Sequence, residues 1–161
     1  MAQLDEITGV GPTGAQELIA EIGVDMTRFP TAAHLVSWAK YAPKARQSAG
    51  RSKPGTTGKG NPWLGATLGE AAISAARTKT FLGSRYHRLA RRRGKQRALV
   101  AVGNSILVIA WHLLSNPDAH FADLGPDWHD KIAPIRRKRQ LIAELERLSG
   151  KKVLLQQETA A

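Results

Sequence analysis

The residues with the clearest chemical potential lie in "QSAGRSKPGTTGKGN", residues 47 to 61, which packs four glycines, three cations and no acid into fifteen positions. Ser48 stands near its start. A serine hydroxyl is a poor nucleophile at neutral pH, so attack on phosphorus needs a proton acceptor, charge neutralisation and in-line positioning. Arg46, Arg51, Lys53 and Lys59 could supply positive charge around Ser48, and Gly50, Gly55, Gly58 and Gly60 permit a loop that wraps a backbone. No base or carboxylate cluster is obvious nearby. On residue types alone, the ordinary loop serine is the leading reading.

The same loop fails as a nucleotide cradle. A P-loop needs a glycine where Lys53 stands and a serine or threonine where Gly60 follows Lys59. Gly9, Gly11 and Gly14 in "GVGPTG" fit the dinucleotide spacing, but no strand precedes them and Pro12 and Thr13 look like a helix start. "ITGVGPTGAQELIAEIG" fits better as a helix-hairpin-helix element. In such an element Gly9 and Gly11 let the backbone approach a phosphate, and free amides near Thr13 bind its oxygens without reading bases. An ordinary glycine-rich turn is the alternative. Only eight residues precede Gly9, so the hairpin's first helix is expected to be missing or truncated, as in the C-terminal part of a longer protein.

Histidines 34, 87, 112, 120 and 129 show no metal-ligand spacing, and His112, on an apolar helix, reads as a satisfied core residue. Asp118, Asp123, Asp127 and Asp130 lack a calcium-loop pattern and read as a solvated loop. "RYHRLARRRGKQR", residues 85 to 97, carries seven Lys and Arg, with Arg85, Arg88 and Arg92 on one helical face and Leu82, Tyr86 and Leu89 on another.

Charge generalises that signal. The net charge is +11, but residues 26 to 117 hold sixteen cations against one acid, Glu70, while residues 1 to 25 hold five acids and no Lys or Arg. A one-sided field of that size selects polyanions. The chain has no cysteine, which excludes disulfides and thiolate zinc sites and suits a reducing, cytoplasmic setting. Its longest apolar stretch, "SILVIAWHLL", is short of the ~20 residues of a membrane span, and no membrane association is expected.

The elements that must position these residues read as helices. Apolar spacing predicts one after Gly11, a second over "TAAHLVSWAKYAP", and a third opening at Asn61 and Pro62. The basic helix before Gly94, a central apolar helix over 95–117 and an amphipathic helix in "KIAPIRRKRQLIAELERLSG" follow, and "KKVLLQ" could form a short final strand. The fold expected is all-α: a helix-hairpin-helix-like element, then a small helical bundle with a long basic loop. Residues 1–117 form its domain and residues 118–161 a loop plus basic helical tail.

Read together, "SWAKYAPKARQSAGRSKPGTTGKGNPWLGATLGEAA", "TFLGSRYHRLARRRGKQRALVAV" and "SILVIAWHLLS" resemble the C-terminal domain of Piv-like insertion-sequence transposases, the insertion sequence one-hundred-ten family. The resemblance extends over nearly the whole chain. It implies an RNA-guided recombinase in which a RuvC-like domain with four acids precedes this one. The serine after the "APxxxxS" stretch is then the DNA nucleophile, here Ser48. Mg²⁺ is implied in the RuvC-like domain and no cofactor in this chain, which is expected to be inactive in strand exchange without that domain. DNA, a guide RNA, the RuvC-like domain and further copies of the protein on DNA are the implied partners. Ala49-Gly50 replaces the family's frequent Gly-Gly, and Gly103-Asn104 stands where a more basic or helix-favouring pair is expected, a departure that bears on helix stability or a nucleic-acid contact. Two other classes fit the residues: a stand-alone DNA-binding module without catalysis, and an RNA-binding structural protein.

Overall fold

The structure is a computed structural model that describes residues 3–42, 46–48, 51–53 and 58–152, with backbone alone for 46–48 and 51–53. The fold is all-α. The helices are α1 (Pro12–Ile22), α2 (Ala32–Trp38), α3 (Pro62–Ala76), α4 (Phe81–Arg93), α5 (Lys95–Ser115) and α6 (Trp128–Ser149), with a short 3₁₀ turn at Met26–Arg28. Contacts divide the chain into a unit of residues 1–126 and a unit of residues 127–161.

α5 is the axis of the first unit. Ala98, Val102, Gly103, Ile106, Leu107, Ala110 and Leu113 are buried along it, and α2, α3 and α4 all pack against it. By length and composition it could cross a membrane, but in this fold it is the core helix, and its residues supply much of the buried cluster. His112, expected in the core, is instead exposed, because the buried stripe runs through Ala110 and Leu113 and turns position 112 outward. Its ring meets Trp111 edge-on at 4.9 Å.

Local signals set the helix ends. Asn61 accepts from the amides of Trp63 and Leu64 with Pro62 beginning α3, as its sequence suggests. α2 stops earlier than the expected end near Pro43. The Tyr41 amide reaches back to the Val36 carbonyl and Lys40 takes φ 61°, a Schellman closure with lysine in the place glycine usually holds. The basic loop is also more than a loop: β1 (Arg46–Ser48) and β2 (Arg51–Lys53) form an antiparallel ladder. Three residues per strand are too few for an alternating pattern to show in sequence. The final strand considered at "KKVLLQ" lies outside the described residues from 153 onward.

The amino-terminal turns are held by Leu4, Ile7 and Val10, each almost fully buried. Gly9 follows with φ +91°, and a Cβ there would lie 2.3 Å from the Ala71 carbonyl oxygen and 2.8 Å from the Ala75 nitrogen of α3. Only glycine fits that backbone and that contact. Gly9→Ala is therefore expected to destabilise the protein by about 2–4 kcal/mol. Gly69→Ala, in the interior of α3 with open space at its Cβ, is expected to stabilise it by about 0.5–1 kcal/mol. Urea unfolding of both variants measures the pair.

Candidate nucleic-acid interface

α4 separates packing from charge. Thr80 caps its start through Gly83, Asp123 accepts from the Phe81 amide, Leu82 is buried, and Tyr86 packs on the core. The loop aspartate thus serves as a second cap at the start of α4. Arg85, Arg88 and Arg92 recur at three- and four-residue steps on the other side, as expected, with Arg88 and Arg92 exposed. Arg85 is half-buried, and burial together with the charge of Arg88 pushes its guanidinium pKa down. Its Nε has no hydrogen-bond partner. Among the described residues no α4 arginine pairs with a carboxylate; Glu6 instead makes a 2.9 Å hydrogen bond with His120. An unsatisfied, crowded guanidinium is stabilised by an anion brought close to it.

Positive charge continues past the break at Gly94. Lys95 and Arg97 are exposed in the first turn of α5, where no acid offsets the positive end of the helix dipole. His87 is occupied in positioning: its Nε2 lies 3.0 Å from the Ala76 carbonyl oxygen and ties α4 to the end of α3.

The stretch that carries Ser48 is flanked on both sides by anchored residues. On the incoming side, Tyr41 donates its hydroxyl to the Gly65 carbonyl at 3.4 Å, and burial raises its pKa. Asn104 donates to the Tyr41 carbonyl at 3.3 Å, and a Cβ at Gly103 would stand 2.7 Å from the Tyr41 ring. The two residues that looked out of place in a helix are the seat for Tyr41. On the return side, Gly60 lies so close that a Cβ would meet the Ala39 carbonyl oxygen at 2.6 Å, and Gly58 faces the Lys40 side chain. Lys59, between them, is exposed. Both ends of the excursion therefore meet at the end of α2.

Within the excursion the ladder pairs Arg46 with Lys53, Gln47 with Ser52 and Ser48 with Arg51, leaving Ala49 and Gly50 between the last partners. Positions 46, 48, 51 and 53 fall on one side of the ladder and 47 and 52 on the other. The side chains of these residues lie outside the described part of the structure, as do Gly50 and Gly55.

The third set sits at the start of α1. Gly9 uses its missing side chain to pack on α3, whereas Gly11 faces open space as an N-cap without a side-chain cap, and Thr13 is exposed. Nearby, α1 and α3 enclose a groove of about 300 Å³ lined by Glu17, Glu21, Glu70 and the exposed Trp63. Two of these acids are engaged: Glu17 accepts from Thr67 at 2.7 Å, and Glu21 accepts from Asn61. Among the described residues no three His, Asp or Glu side chains converge as a metal set.

Residues 1–88 match the Transposase IS116/IS110/IS902 family. The chain belongs to this transposase family. The match takes in α1, the Ser48 excursion, α3 and α4 as far as Arg88, while α5 and α6 lie beyond it. No curated protein matches the chain. In this transposase the residues that sequence reasoning passed over are those of the base: Tyr41, Lys40, Gly60 and the role of Gly103 and Asn104. The departure from a helix-favouring pair was the available signal.

The Tyr41 seat yields a coupling test. Gly103→Ala is expected to cost about 1–3 kcal/mol by forcing the ring aside. In a double-mutant cycle with Tyr41→Leu, which removes the contacted ring, the two costs are expected to fall short of additivity by at least about 0.5 kcal/mol. Chemical denaturation of the four proteins gives that coupling.

Proposed function

We propose that this transposase domain binds DNA through its basic face and presents Ser48 as the nucleophile of strand cleavage and rejoining. The observation that carries the reading is the ladder register, which sets Ser48 opposite Arg51 and on the same side as Arg46 and Lys53. Three cationic positions around one hydroxyl-bearing position are what attack on an anionic phosphodiester requires, since positive charge must meet the developing oxyanion. The anchored base favours precision, because a nucleophile must be held near its in-line geometry to react.

In that reaction the Ser48 Oγ forms a bond to phosphorus as its proton passes to a base. The bond to the leaving deoxyribose oxygen breaks, and that oxygen takes up a proton. The product is a phosphoserine ester with DNA. Attack by a hydroxyl of another strand reverses these steps and frees the serine. The carboxylate donors that would bind Mg²⁺ are assigned to a RuvC-like domain, because the described acids of this chain do not form a fitting set.

Arg85, Arg88 and Arg92, with Lys59, are assigned to phosphate contacts, and the free amides at the start of α1, by Gly11 and Thr13, to a second, weaker contact in helix-hairpin-helix manner. The acidic α1–α3 groove repels phosphate and marks the edge of that surface. A guide RNA is read as a second polyanion on the basic block, with further copies of the protein assembling on DNA, in a reducing, cytoplasmic setting.

Two measurements test this reading. In the full-length transposase with its DNA, wild type is expected to yield a covalent protein–DNA adduct and Ser48→Ala none; an undiminished adduct in Ser48→Ala rules out the nucleophile. Arg88→Ala and Arg92→Ala are each expected to weaken duplex binding across sequences and to lower the slope of log K against log salt by about 1, with Ser48→Ala leaving that slope unchanged.

A further inference from the structure

α6 contains 22 residues and buries none of them. It nonetheless carries an apolar stripe at helical spacing: Ile135, Leu141, Leu145 and Leu148 are 52%, 43%, 53% and 73% exposed, and Ile142 completes the row. Arg136, Gln140, Glu144 and Arg147 fall on the opposite arc. Such a stripe, two to three positions wide over about four turns, is the pattern of a helix that packs along another helix. Pro134 lies inside α6 and breaks the hydrogen-bond ladder there, so the regular stretch begins at Ile135.

The charges point to the occupant. Lys131, Arg136, Arg137, Lys138 and Arg139 precede residue 140, whereas both glutamates of the helix, Glu144 and Glu146, follow it. A parallel pair would lay the basic run against its own copy. An antiparallel pair lays it against the glutamates. We propose that α6 packs antiparallel on α6 of a second copy of this chain, about a twofold axis between residues 143 and 144.

One register satisfies both stripe and charge. With Ile142 opposite Leu145 of the second copy, the same twofold places Leu141 opposite Leu148 and Arg139 beside Glu146, each contact occurring twice. Lys138 falls within the stripe, opposite Ser149 at the end of the paired stretch, where its stem can cover apolar surface while its ammonium reaches water. A paired stretch of about four turns is short, so the dimer is expected to be concentration-dependent. This inference does not rest on the role given to Ser48 or on DNA binding.

The test uses the whole chain, freed of nucleic acid by nuclease, in sedimentation equilibrium at micromolar concentrations. Wild type is expected to show a monomer–dimer equilibrium. Arg139→Glu sets two carboxylates against each other at each 139–146 contact, and Glu146→Arg sets two guanidinium groups there, so each variant alone is expected to dimerise at least about tenfold more weakly. An equal mixture of the two variants allows a heterodimer in which one 139–146 contact is Glu with Arg and the other is Arg with Glu. Opposite charges then meet at both contacts, and dimer is expected to return. A wild type that stays monomeric overturns the proposal. So does a dimer that neither single variant weakens, or a mixture that stays as monomeric as its components, since antiparallel pairing at this register makes each variant repel its own copy and attract the other.

Discussion

Burial of α5 is the constraint on which the first unit depends. Apart from Lys95 and Arg97 in its first turn the helix has no Lys, Arg, Asp or Glu, so it must be enclosed, and each of the neighbouring helices contributes a face to it. At about 25 cal/mol per Å² of apolar surface removed from water, this enclosure is the main force driving the unit to fold. Leu35 and Val36 of α2, Leu64, Leu68 and Ala72 of α3 and Leu82 of α4 are in the same buried cluster as Val102, Ile106 and Leu107. The small residues of α3 let backbones approach closely, and Gly9 seats the amino-terminal turns against that helix.

The packed core places the charge. Once α4 buries Leu82 and packs Tyr86 on the core, Arg88 and Arg92 have solvent or an anion to face, and among the described residues no carboxylate pairs with the α4 arginines. The same core seats Tyr41 on Gly103 and Asn104, and through Tyr41 the buried axis reaches the base of the Ser48 excursion. The serine attack proposed above needs positive charge and a held geometry; the ladder register offers cationic positions for the first, and the Tyr41 seat an ordered base for the second.

Much of this was legible in the sequence, and the failures have physical reasons. Asn61-Pro62, Gly94 and the apolar steps of α5 specify their elements locally, so helix number and order could be read directly. The basic face of α4 followed from spacing alone. The end of α2 did not, because Lys40 occupies a left-handed position that composition assigns to glycine. The ladder was invisible because each strand is three residues long, with pairing that depends on register rather than pattern. His112 was misplaced because a single polar residue on an apolar helix says nothing about which way the stripe turns. Gly103 and Asn104 registered as an anomaly, but their reason lies 63 residues away in sequence, in Tyr41. The role proposed for Ser48 rests on family resemblance and ladder register, since serine in a glycine-rich loop is common and its neighbours in sequence name no base.

The most direct measurement of the central claim is the identity of the DNA-linked residue. Full-length transposase reacted with its DNA, digested with nuclease and protease and analysed by mass spectrometry, is predicted to carry the nucleotide on Ser48, within the peptide bounded by Arg46 and Arg51. A nucleotide on Ser52, Thr56, a tyrosine or any residue outside that peptide would contradict the account.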